Sequence, residues 1–430
     1  MQVTFGSSGV RGPFATVATP ELALALGRAV GSMRRRVVVG RDARTTGPAL
    51  ESALVAGLLA SGAEVARAGV LPTPALAYAA RKHDAGVVVT ASHNPAPDNG
   101  FKLWAPDGRA FGGAERREVE RLLREPPASR PWDAVGALRD EPHAVEEHVA
   151  RILDVVGPLR RRLRVVLDCG NGAASLESPA LLRRLGCDVV TLNAQFDGHF
   201  PGRPSEPSEA NLAALRKAVV ATGADLGIAH DGDADRCMVV THTGRYVGGD
   251  ELLLLFARRH AGSTIVCPVD ASRTVEDASG CTVVRTKVGD AYVSERLAEL
   301  QGAFGGEASG AWIFPRVSYC PDGPLAAATV CAMVAELGPL EEQVAALPRY
   351  PLWRDARRME PQEVQPTLAR FREAFADAKL NELDGARFDL DEGWVLVRPS
   401  GTEPKLRVTV EAVDERALEA LKARVAKVMP

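Results

Sequence analysis

The sequence lacks the features of exported, membrane-spanning and polyanion-binding proteins. It has no uninterrupted apolar run of about 18 residues, and its first residues, MQVTFGSSGVRG, lack the basic and apolar segments of an export signal. The seven cysteines are odd in number and form no C-x-x-C pair, so we expect buried, reduced thiols in a cytoplasmic protein. Because acidic and basic residues nearly balance, at a net charge of -3, we expect neither nucleic acid nor a membrane as a partner.

The sequence does contain the alternating strand and helix patterns of an α/β protein with several domains. Over 430 residues, 46% of them hydrophobic, short β-branched runs alternate with longer Ala- and Leu-rich segments of helical period. The rhythm begins at residues 37–40 and restarts at 164–169 and at 264–269. We therefore predict three similar α/β domains with mixed sheets.

The pattern changes after residue 346. A helix from Pro361 to about Leu380 is flanked by strand-like segments such as GWVLVR and KLRVTVEA, and a final helix follows Asp414. This order predicts a smaller C-terminal α+β domain with an antiparallel sheet. The predicted domains are residues 1–138, 139–241, 242–346 and 347–430.

The strongest chemical signal is the segment ADLGIAHDGDADRCMVV. An apolar strand runs into Asp231, Asp233 and Asp235, which alternate, so that in an extended loop their carboxylates point the same way. An all-oxygen ligand set favours Mg²⁺ over zinc, and Arg236 and His242 stand where a calcium-binding EF-hand needs Gly and Glu. A solvated acidic turn is the alternative, although three such carboxylates repel one another without a cation.

A second polar loop follows the apolar strand in VVVTASHNPAPDNGFK. Ser92 is a candidate nucleophile, and His93 and Lys102 are candidate cations or proton carriers. Because no G-x-S-x-G motif surrounds Ser92, a Ser-His-Asp hydrolase is disfavoured. A serine in a loop is commonly a cap or bonded to solvent, so Ser92 gains weight only together with the aspartates.

Two further loops carry groups suited to a phosphorylated sugar. RPSGTEPKLRVTVEA offers hydroxyls, backbone N–H groups and guanidinium groups around a tight turn, which can cradle a phosphate; a plain hairpin is the alternative. The cradle residues are Arg398, Ser400, Gly401, Thr402 and Arg407. In FGGEASGAW, Glu307 and Ser309 lie on a glycine-rich loop suited to hydroxyl recognition.

Two segments suggest other functions. DCGNGAAS follows a strand and opens a helix, as a dinucleotide-binding loop does, but Ser175 stands in place of the third glycine. Asp231 and Asp233 also form the strand-end D-x-D of a haloacid-dehalogenase-type phosphatase. In such an enzyme Asp231 is the nucleophile and Ser92 has no chemical role.

Taken together and in this order, TASHNP, DGDADR, GEASG and RPSGTEP resemble the motifs of the α-D-phosphohexomutase superfamily. The resemblance covers essentially the whole chain and implies four domains around one central cleft. It makes Ser92 a phosphoserine nucleophile, with Asp231, Asp233, Asp235 and the phosphoseryl oxygen as Mg²⁺ ligands. It also assigns substrate binding to eight residues, which are Arg236, Glu307, Ser309, Arg398, Ser400, Gly401, Thr402 and Arg407. Arg11, Lys102 and His93 would assist phosphoryl or proton transfer.

The implied reaction moves a phosphoryl group between the C1 and C6 oxygens of a hexose phosphate through a sugar 1,6-bisphosphate. Three aspartates and a phosphoserine of about -2 against one Mg²⁺ leave roughly -3, so the site needs fixed cations. We take these to be Arg11, His93, Lys102, Arg236, Arg398 and Arg407. Lys102 is the expected general base provided that its pKa is lowered, and Arg11 is a positioning cation.

The substrate is less well defined by the sequence. We rank glucosamine phosphate ahead of mannose and glucose phosphates, with a pentose phosphate as a further alternative. Ala311 stands where many members have His, and Ala311-Trp312 with the following IFP resembles archaeal-type members. His93, Lys102 and Asp290 are candidates to cover the proton-transfer or orienting role of that His. A phosphatase and a sugar-phosphate-binding sensor are the alternatives from other classes, and a monomer or homodimer is expected.

Overall fold

The computed structural model describes Gly6, residues 9–400 and residues 405–429, and the strands of these residues form four β-sheets. Within the same residues, no helix combines the length and the apolar character needed to cross a bilayer. All seven cysteines are unpaired, and all except Cys281 are buried. The predicted α/β domains with mixed sheets and the antiparallel C-terminal sheet are confirmed.

The first sheet has the order β1-β5-β4-β2-β3-β6 and mixes parallel with antiparallel pairs. Its strands are β1 (Gly9–Pro13), β2 (Arg36–Arg41), β3 (Glu64–Val70), β4 (Ala85–Val89), β5 (Asp98–Trp104) and β6 (Leu138–Asp140). The helices of this part are α1 (Pro20–Met33), α2 (Gly47–Ala60), α3 (Thr73–Ala79) and α4 (Gly113–Arg124). Strand β4 is buried along its whole length, so the polar loop that follows it starts from a fixed point in the core.

The second sheet has the order β10-β9-β7-β8, in which β7, β8 and β9 are parallel and β10 is antiparallel to β9. Its elements are α5 (Ala144–Val156), β7 (Arg164–Asp168), α6 (Ser178–Arg184), β8 (Asp188–Leu192), α7 (Ala213–Thr222), β9 (Leu226–His230) and β10 (Cys237–Thr241). Because β9 and β10 form a hairpin, the DGDADR segment is its connecting loop.

The third sheet has the order β12-β11-β13-β14. Its elements are α8 (Gly249–Arg258), β11 (Thr264–Pro268), α9 (Thr274–Ala278), β12 (Thr282–Thr286), α10 (Asp290–Leu300), β13 (Phe304–Gly306), β14 (Trp312–Ile313), α11 (Gly323–Leu337) and α12 (Leu340–Ala345). The GEASG segment connects β13 to β14. One continuous hydrophobic core underlies the second and third sheets and includes residues of α5, β9, β10 and α11.

The C-terminal sheet is antiparallel throughout, with the order β15-β19-β18-β17-β16. Its elements are β15 (Leu352–Arg358), α13 (Pro361–Ala374), β16 (Lys379–Asn381), β17 (Ala386–Leu390), β18 (Gly393–Pro399), β19 (Lys405–Ala412) and α14 (Glu415–Val428). The RPSGTEP segment begins in β18, and its residues 401–404, between β18 and β19, lie outside the described residues.

Candidate active site

The loop after β4 holds Ser92 in an unusual backbone conformation. The φ angle of Ser92 is +51°, a region that few residues other than glycine adopt. Its backbone N–H donates to Thr90 Oγ1 at 2.9 Å, and its carbonyl accepts from Ser205 Oγ at 3.2 Å. Both backbone groups of Ser92 are therefore held by hydrogen bonds.

A buried arginine that the sequence analysis did not identify holds this loop. Arg44 has no exposed surface, and each of its five guanidinium N–H groups has an acceptor. Its Nε donates to Asp42 Oδ2 at 3.2 Å. The other four donate to the carbonyls of Ser92, Asn94, Pro95 and Asp98 at 2.7, 2.7, 2.7 and 2.8 Å. The signal for Arg44 was the GRDART segment, where a charged pair directly follows a buried strand.

The three aspartates converge in the β9–β10 hairpin loop. One carboxylate oxygen from each of Asp231, Asp233 and Asp235 lies within 4.8 Å of the other two, and all three residues are buried. Ala234 has a φ angle of +60°, so this loop is a tight turn. The carboxylates converge as predicted, but the loop that carries them is a turn and not the extended segment expected from their alternation.

The serine and the aspartates come from different domains and meet directly. Ser92 Oγ donates a hydrogen bond to Asp231 Oδ2 at 2.7 Å. Lys102 Nζ lies 2.8 Å from Asp233 Oδ2 and 2.5 Å from Asp235 Oδ2. Thr73 Oγ1, at the first turn of α3, donates to Asp233 Oδ2 at 2.6 Å. A serine hydroxyl, three carboxylates and an ammonium group thus share one buried volume.

The donor set of the aspartates fits a hard divalent cation. Within the described part of the chain, Asp233 Oδ1 and Asp235 Oδ1 are buried and have no hydrogen-bond partner. Burial and the carboxylates of Asp235 and Asp233 raise the pKa of Asp231, and burial with Asp233 raises the pKa of Asp235. A cation bound by these oxygens would relieve both the repulsion and the missing contacts.

The charge states of the two predicted proton carriers differ from expectation. Burial opposes the charge of Lys102, but the carboxylates of Asp233 and Asp235 outweigh it and raise the pKa of Lys102. The condition set for Lys102 as general base, a lowered pKa, is therefore not met with these carboxylates as its partners. Burial and the guanidinium groups of Arg236 and Arg11 lower the pKa of His93 to about 2, so His93 is not one of the fixed cations. Its Nδ1 lies 3.4 Å from Ser92 Oγ.

The loop between β13 and β14 brings Glu307 to the same cleft. Glu307 Oε1 accepts from the backbone N–H of Gly289 at 2.7 Å, and Ser309 Oγ lies 3.4 Å from Glu307 Oε2. Burial and the nearby carboxylates of Asp290 and Asp270 raise the pKa of Glu307 to about 8. The loop is attached to the hairpin that carries the three aspartates by a backbone bridge between Arg236 and Ala311.

The C-terminal sheet supplies two cations that face each other across strands. Arg398 in β18 is paired in register with Arg407 in β19. Two like charges in directly opposed positions destabilise a sheet unless an anion lies between them or counter-ions flank them. Asp270 Oδ2 lies 4.0 Å from Arg398, and the Ser400 N–H donates to the carbonyl of Lys405 at 2.8 Å. Gly401 and Thr402 lie outside the described residues.

All four domains contribute to the predicted central cleft, which has a volume of about 690 Å³. It is lined mostly by charged residues, in keeping with a phosphorylated and hydroxyl-rich ligand. The sequence-predicted residues among those that line it are Arg11, His93, Arg236, Asp290, Glu307, Ser309, Arg398, Ser400 and Arg407. Arg116, Lys287 and Asp384 also line it and were missed, because no motif surrounds them.

The DCGNGAAS segment has a structural role. Asp168 Oδ2 accepts from Arg203 Nε at 2.9 Å, and a Cβ on Gly170 would lie only 2.8 Å from that guanidinium. Arg203 Nη2 in turn donates to the carbonyl of His230 at 2.6 Å, directly before the aspartate loop. The place where a pyrophosphate would approach this turn is thus filled by Arg203.

Comparison with known protein families gives the same four-part division. Residues 2–129, 146–244 and 248–350 match alpha/beta/alpha domains I, II and III of the phosphoglucomutase/phosphomannomutase family, and residues 356–428 match its C-terminal domain. The chain belongs to this family, as the resemblance implied. It is a phosphosugar mutase, which is an isomerase.

Archaeal relatives match over nearly their whole length. A protein of Methanocella arvoryzae named "Probable phosphoglucosamine mutase" is 49% identical over 420 residues, covering 97% of this chain and 95% of that protein. A protein of the same name from Methanosarcina acetivorans is 48% identical over 422 residues, covering 96% of each.

Solved structures share the fold. The crystal structure of a phosphoglucomutase/phosphomannomutase family protein from Burkholderia thailandensis is 28% identical and superimposes with a TM-score of 0.88, covering 99% of this chain and 97% of that one. A putative phosphomannomutase from Thermus thermophilus is 25% identical with a TM-score of 0.81, covering 99% of both chains.

Proposed function

We propose that this enzyme is a phosphoglucosamine mutase, which interconverts glucosamine 1-phosphate and glucosamine 6-phosphate through a phosphoserine and a sugar 1,6-bisphosphate. The choice of sugar is supported by the names of the archaeal relatives at 40–49% identity. The mechanism is supported chiefly by one contact, the 2.7 Å hydrogen bond between Ser92 Oγ and Asp231 Oδ2. It joins the nucleophile of one domain to the metal loop of another.

In the proposed reaction, Ser92 carries the phosphoryl group and Asp231, Asp233 and Asp235 hold Mg²⁺. When bound, Mg²⁺ would stabilise negative charge on the transferring phosphoryl oxygens. The bond between phosphorus and Ser92 Oγ breaks, a bond to the sugar hydroxyl oxygen forms, and the hydroxyl proton ends on Ser92 Oγ. The free serine then donates to Asp231, as it does in the unphosphorylated form.

Basic side chains offset the negative charge of the aspartates and the phosphoryl group. We propose that Lys102, which is charged between Asp233 and Asp235, neutralises the aspartates and is not the general base. His93 is uncharged and lies near Ser92 Oγ, so it can pass a proton along a hydrogen bond but adds no positive charge. Arg11 and Arg236 line the cleft and are proposed to orient the phosphoryl group.

The remaining residues bind the substrate in this proposal. Glu307 and Ser309 read sugar hydroxyls, and a cradle made of Arg398, Ser400, Gly401, Thr402 and Arg407 holds the phosphate that does not react. Because the cradle binds the phosphate group itself, it can hold a phosphate attached to either C1 or C6. One site therefore serves both orientations of the bisphosphate. The 1,6-bisphosphate is then intermediate and activator at once.

Several predictions about the whole chain remain predictions. These are the cytoplasmic location, the monomeric or dimeric state and the domain boundaries at residues 138, 241 and 346. The first boundary lies inside β6, a strand that pairs with β3 of the first sheet. Ala311, which stands in place of the family His, is buried and forms a backbone bridge with Arg236.

The substrate is tested with a panel of 1-phosphates of glucosamine, mannose, glucose and ribose, each assayed with a trace of its bisphosphate. We expect the highest kcat/KM for glucosamine 1-phosphate. Faster turnover of mannose or glucose phosphate would contradict the choice of sugar and leave the mechanism intact.

The nucleophile is tested with enzyme labelled by a radioactive bisphosphate. We expect acid-stable label on Ser92 and none on the Ser92→Ala variant. An Asp231 nucleophile, as in a phosphatase, would instead give a hydroxylamine-sensitive acyl phosphate that persists in Ser92→Ala. Full isomerase activity of Ser92→Ala would overturn the proposal.

A further inference from the structure

A buried ion cluster lies where the first three domains meet. His148 of α5 is sandwiched between two carboxylates: Nδ1 lies 2.6 Å from Glu177 Oε1 and Nε2 lies 3.0 Å from Asp322 Oδ2. The three side chains are 0%, 0% and 2% exposed. When both carboxyl groups are ionised they only accept hydrogen bonds, so both ring nitrogens carry a proton and His148 is an imidazolium ion.

Such a cluster is costly to bury. One cation between two carboxylates leaves a net charge of about -1 in the interior. A protein in which such a buried ion cluster is replaced by well-packed apolar residues of similar size is commonly as stable or more stable. In addition, Glu177 Oε2 is buried without a hydrogen-bond partner in the described part of the chain. Stability alone therefore does not account for these three residues.

The cluster is connected to the middle of the metal loop through helix α11. Asp322 caps α11, since its Oδ1 accepts from the Leu325 N–H at 2.9 Å. The next residue, Gly323, donates its N–H to the carbonyl of Ala234 at 3.2 Å. A Cβ on Gly323 would lie 2.5 Å from the carbonyl oxygens of Ala234 and Arg236, so this helix end touches the loop without any gap.

It is also connected to both ends of the loop through Glu177. The residue after Glu177 is Ser178, whose Oγ lies 3.1 Å from His230 Nε2, and His230 Nδ1 lies 2.9 Å from the carbonyl of Arg236. The carbonyl requires a proton on Nδ1, so Nε2 accepts from Ser178. His230 and Arg236 immediately flank the loop that carries the three aspartates.

The third connection runs through helix α3. The ring of Tyr78 lies 5.6 Å from the ring of His148. At the start of the same helix, Thr73 binds Asp233 twice, through its hydroxyl at 2.6 Å and its N–H at 2.9 Å. His148 thus contacts both helices whose first residues hold the metal loop.

We propose that His148, Glu177 and Asp322 are positioning residues that fix the metal loop, so that they set metal affinity although they contact neither metal nor substrate. The proposal rests on the proposed role of Asp231, Asp233 and Asp235 as metal ligands. Losing the charge of His148 loosens the helix ends at Thr73 and Gly323, and the three carboxylates then no longer keep the spacing that a cation requires.

The test measures binding of Mn²⁺, as a Mg²⁺ substitute, to metal-free protein by electron paramagnetic resonance. For His148→Gln and for Asp322→Asn, which keeps a helix-capping side chain, we expect Mn²⁺ affinity about 10-fold to 100-fold weaker. The KM for the phosphosugar at saturating metal should stay within about twofold, since the cradle is untouched. His143→Gln, an exposed position just before α5, is the matched control and should bind Mn²⁺ like the original protein.

The outcomes distinguish the positioning role of the His148 cluster from the metal site itself. Unchanged Mn²⁺ affinity in a folded Asp322→Asn protein, with only a lower melting temperature, would show that the cluster is merely structural and would overturn the inference. Unchanged Mn²⁺ affinity in Asp233→Asn would instead overturn the metal site itself. Weak binding in Asp233→Asn and Asp322→Asn, with normal binding in His143→Gln, supports both.

Discussion

At the scale of single residues, the conformation of the proposed nucleophile, Ser92, depends on the side chain of Arg44, which has no proposed part in the chemistry. A residue with a β-carbon at a φ angle of +51° carries a conformational cost of about 1–2 kcal/mol, and the surrounding contacts must outweigh it. Arg44 supplies four of those contacts, all to carbonyls of the loop that contains Ser92. Its planar five-donor group matches these acceptors, and the three-donor ammonium of lysine does not.

We therefore expect Arg44→Lys to lower kcat about 100-fold, because the charge is kept but the serine loop shifts by a fraction of an ångström or more. The free energy of unfolding should fall by about 1–3 kcal/mol, since buried carbonyls lose their donors. Steady-state kinetics and denaturant unfolding measure the two effects. Arg35→Lys, at a side chain that is 81% exposed, is the control and should change neither.

The aspartates give a second prediction at this scale, on the pH dependence of metal binding. The pKa values of Asp231 and Asp235 are raised, so protons compete with the cation for these carboxylates. We expect Mn²⁺ affinity to weaken steadily as the pH is lowered, with protons released on binding. Titrations in two buffers of different ionisation enthalpy measure the released protons. An affinity that does not change with pH would contradict the raised pKa values.

At the scale of helices and strands, much of the fold was predictable because the core strands are short apolar runs. The run at residues 37–40 lies within β2, and that at 164–169 covers β7. The helix predicted from Pro361 to about Leu380 was wrong at its end, since α13 stops at Ala374. There the Phe375 ring stacks on Phe388 of the sheet at 5.2 Å, and the chain then extends into β16, so tertiary packing ends the helix.

The candidate site divides in the same way between predictable and unpredictable parts. Ser92 and the aspartates were predictable because they stand in dense polar motifs after buried strands. Arg44, Thr73 and His148 were not, because each acts through a partner far along the chain: Thr73 and Asp233 are 160 residues apart. Sequence spacing carries no information about such pairs.

Helix α5 gives a prediction on the pH dependence of stability. The imidazolium of His148 faces Glu177 and Asp322, with the ring of Tyr78 beside it. Burial opposes its charge, but these carboxylates outweigh burial and raise the pKa of His148 to about 10. Since an unfolded histidine titrates near about 6.5, this stabilisation is complete below about pH 6.5 and is lost as the pH rises through about 10.

The original protein should thus lose stability between about pH 7 and about pH 10 more steeply than His148→Gln does. Denaturant unfolding at several pH values measures the difference, and His143→Gln should follow the original protein. Parallel pH profiles for the original protein and His148→Gln would contradict a charged His148.

At the scale of the whole molecule, the aspartate cluster and the two opposed arginines belong to different domains around one cleft. The aspartates and Ser92 lie on the side of the first two domains, whereas Arg398 and Arg407 come from the C-terminal sheet. This division suits a substrate that keeps one phosphate in place while the other reacts. It also explains why two arginines stand opposite each other on neighbouring strands, where a bound dianion would turn their repulsion into attraction.

If one cradle serves both orientations of the sugar, weakening it must affect both substrates alike. We expect Arg398→Gln to raise KM for the 1-phosphate and for the 6-phosphate by the same factor, about 10-fold, because a charge-assisted hydrogen bond contributes about 1.5–3 kcal/mol. Mn²⁺ affinity should not change, since Arg398 does not contact the aspartates through any described bond. Kinetics in both directions at saturating metal measure the two factors, with Arg358→Gln, an exposed arginine of the same sheet, as the control. A KM change confined to one direction would mean that the two orientations use different phosphate sites, and the single-cradle mechanism would then fail.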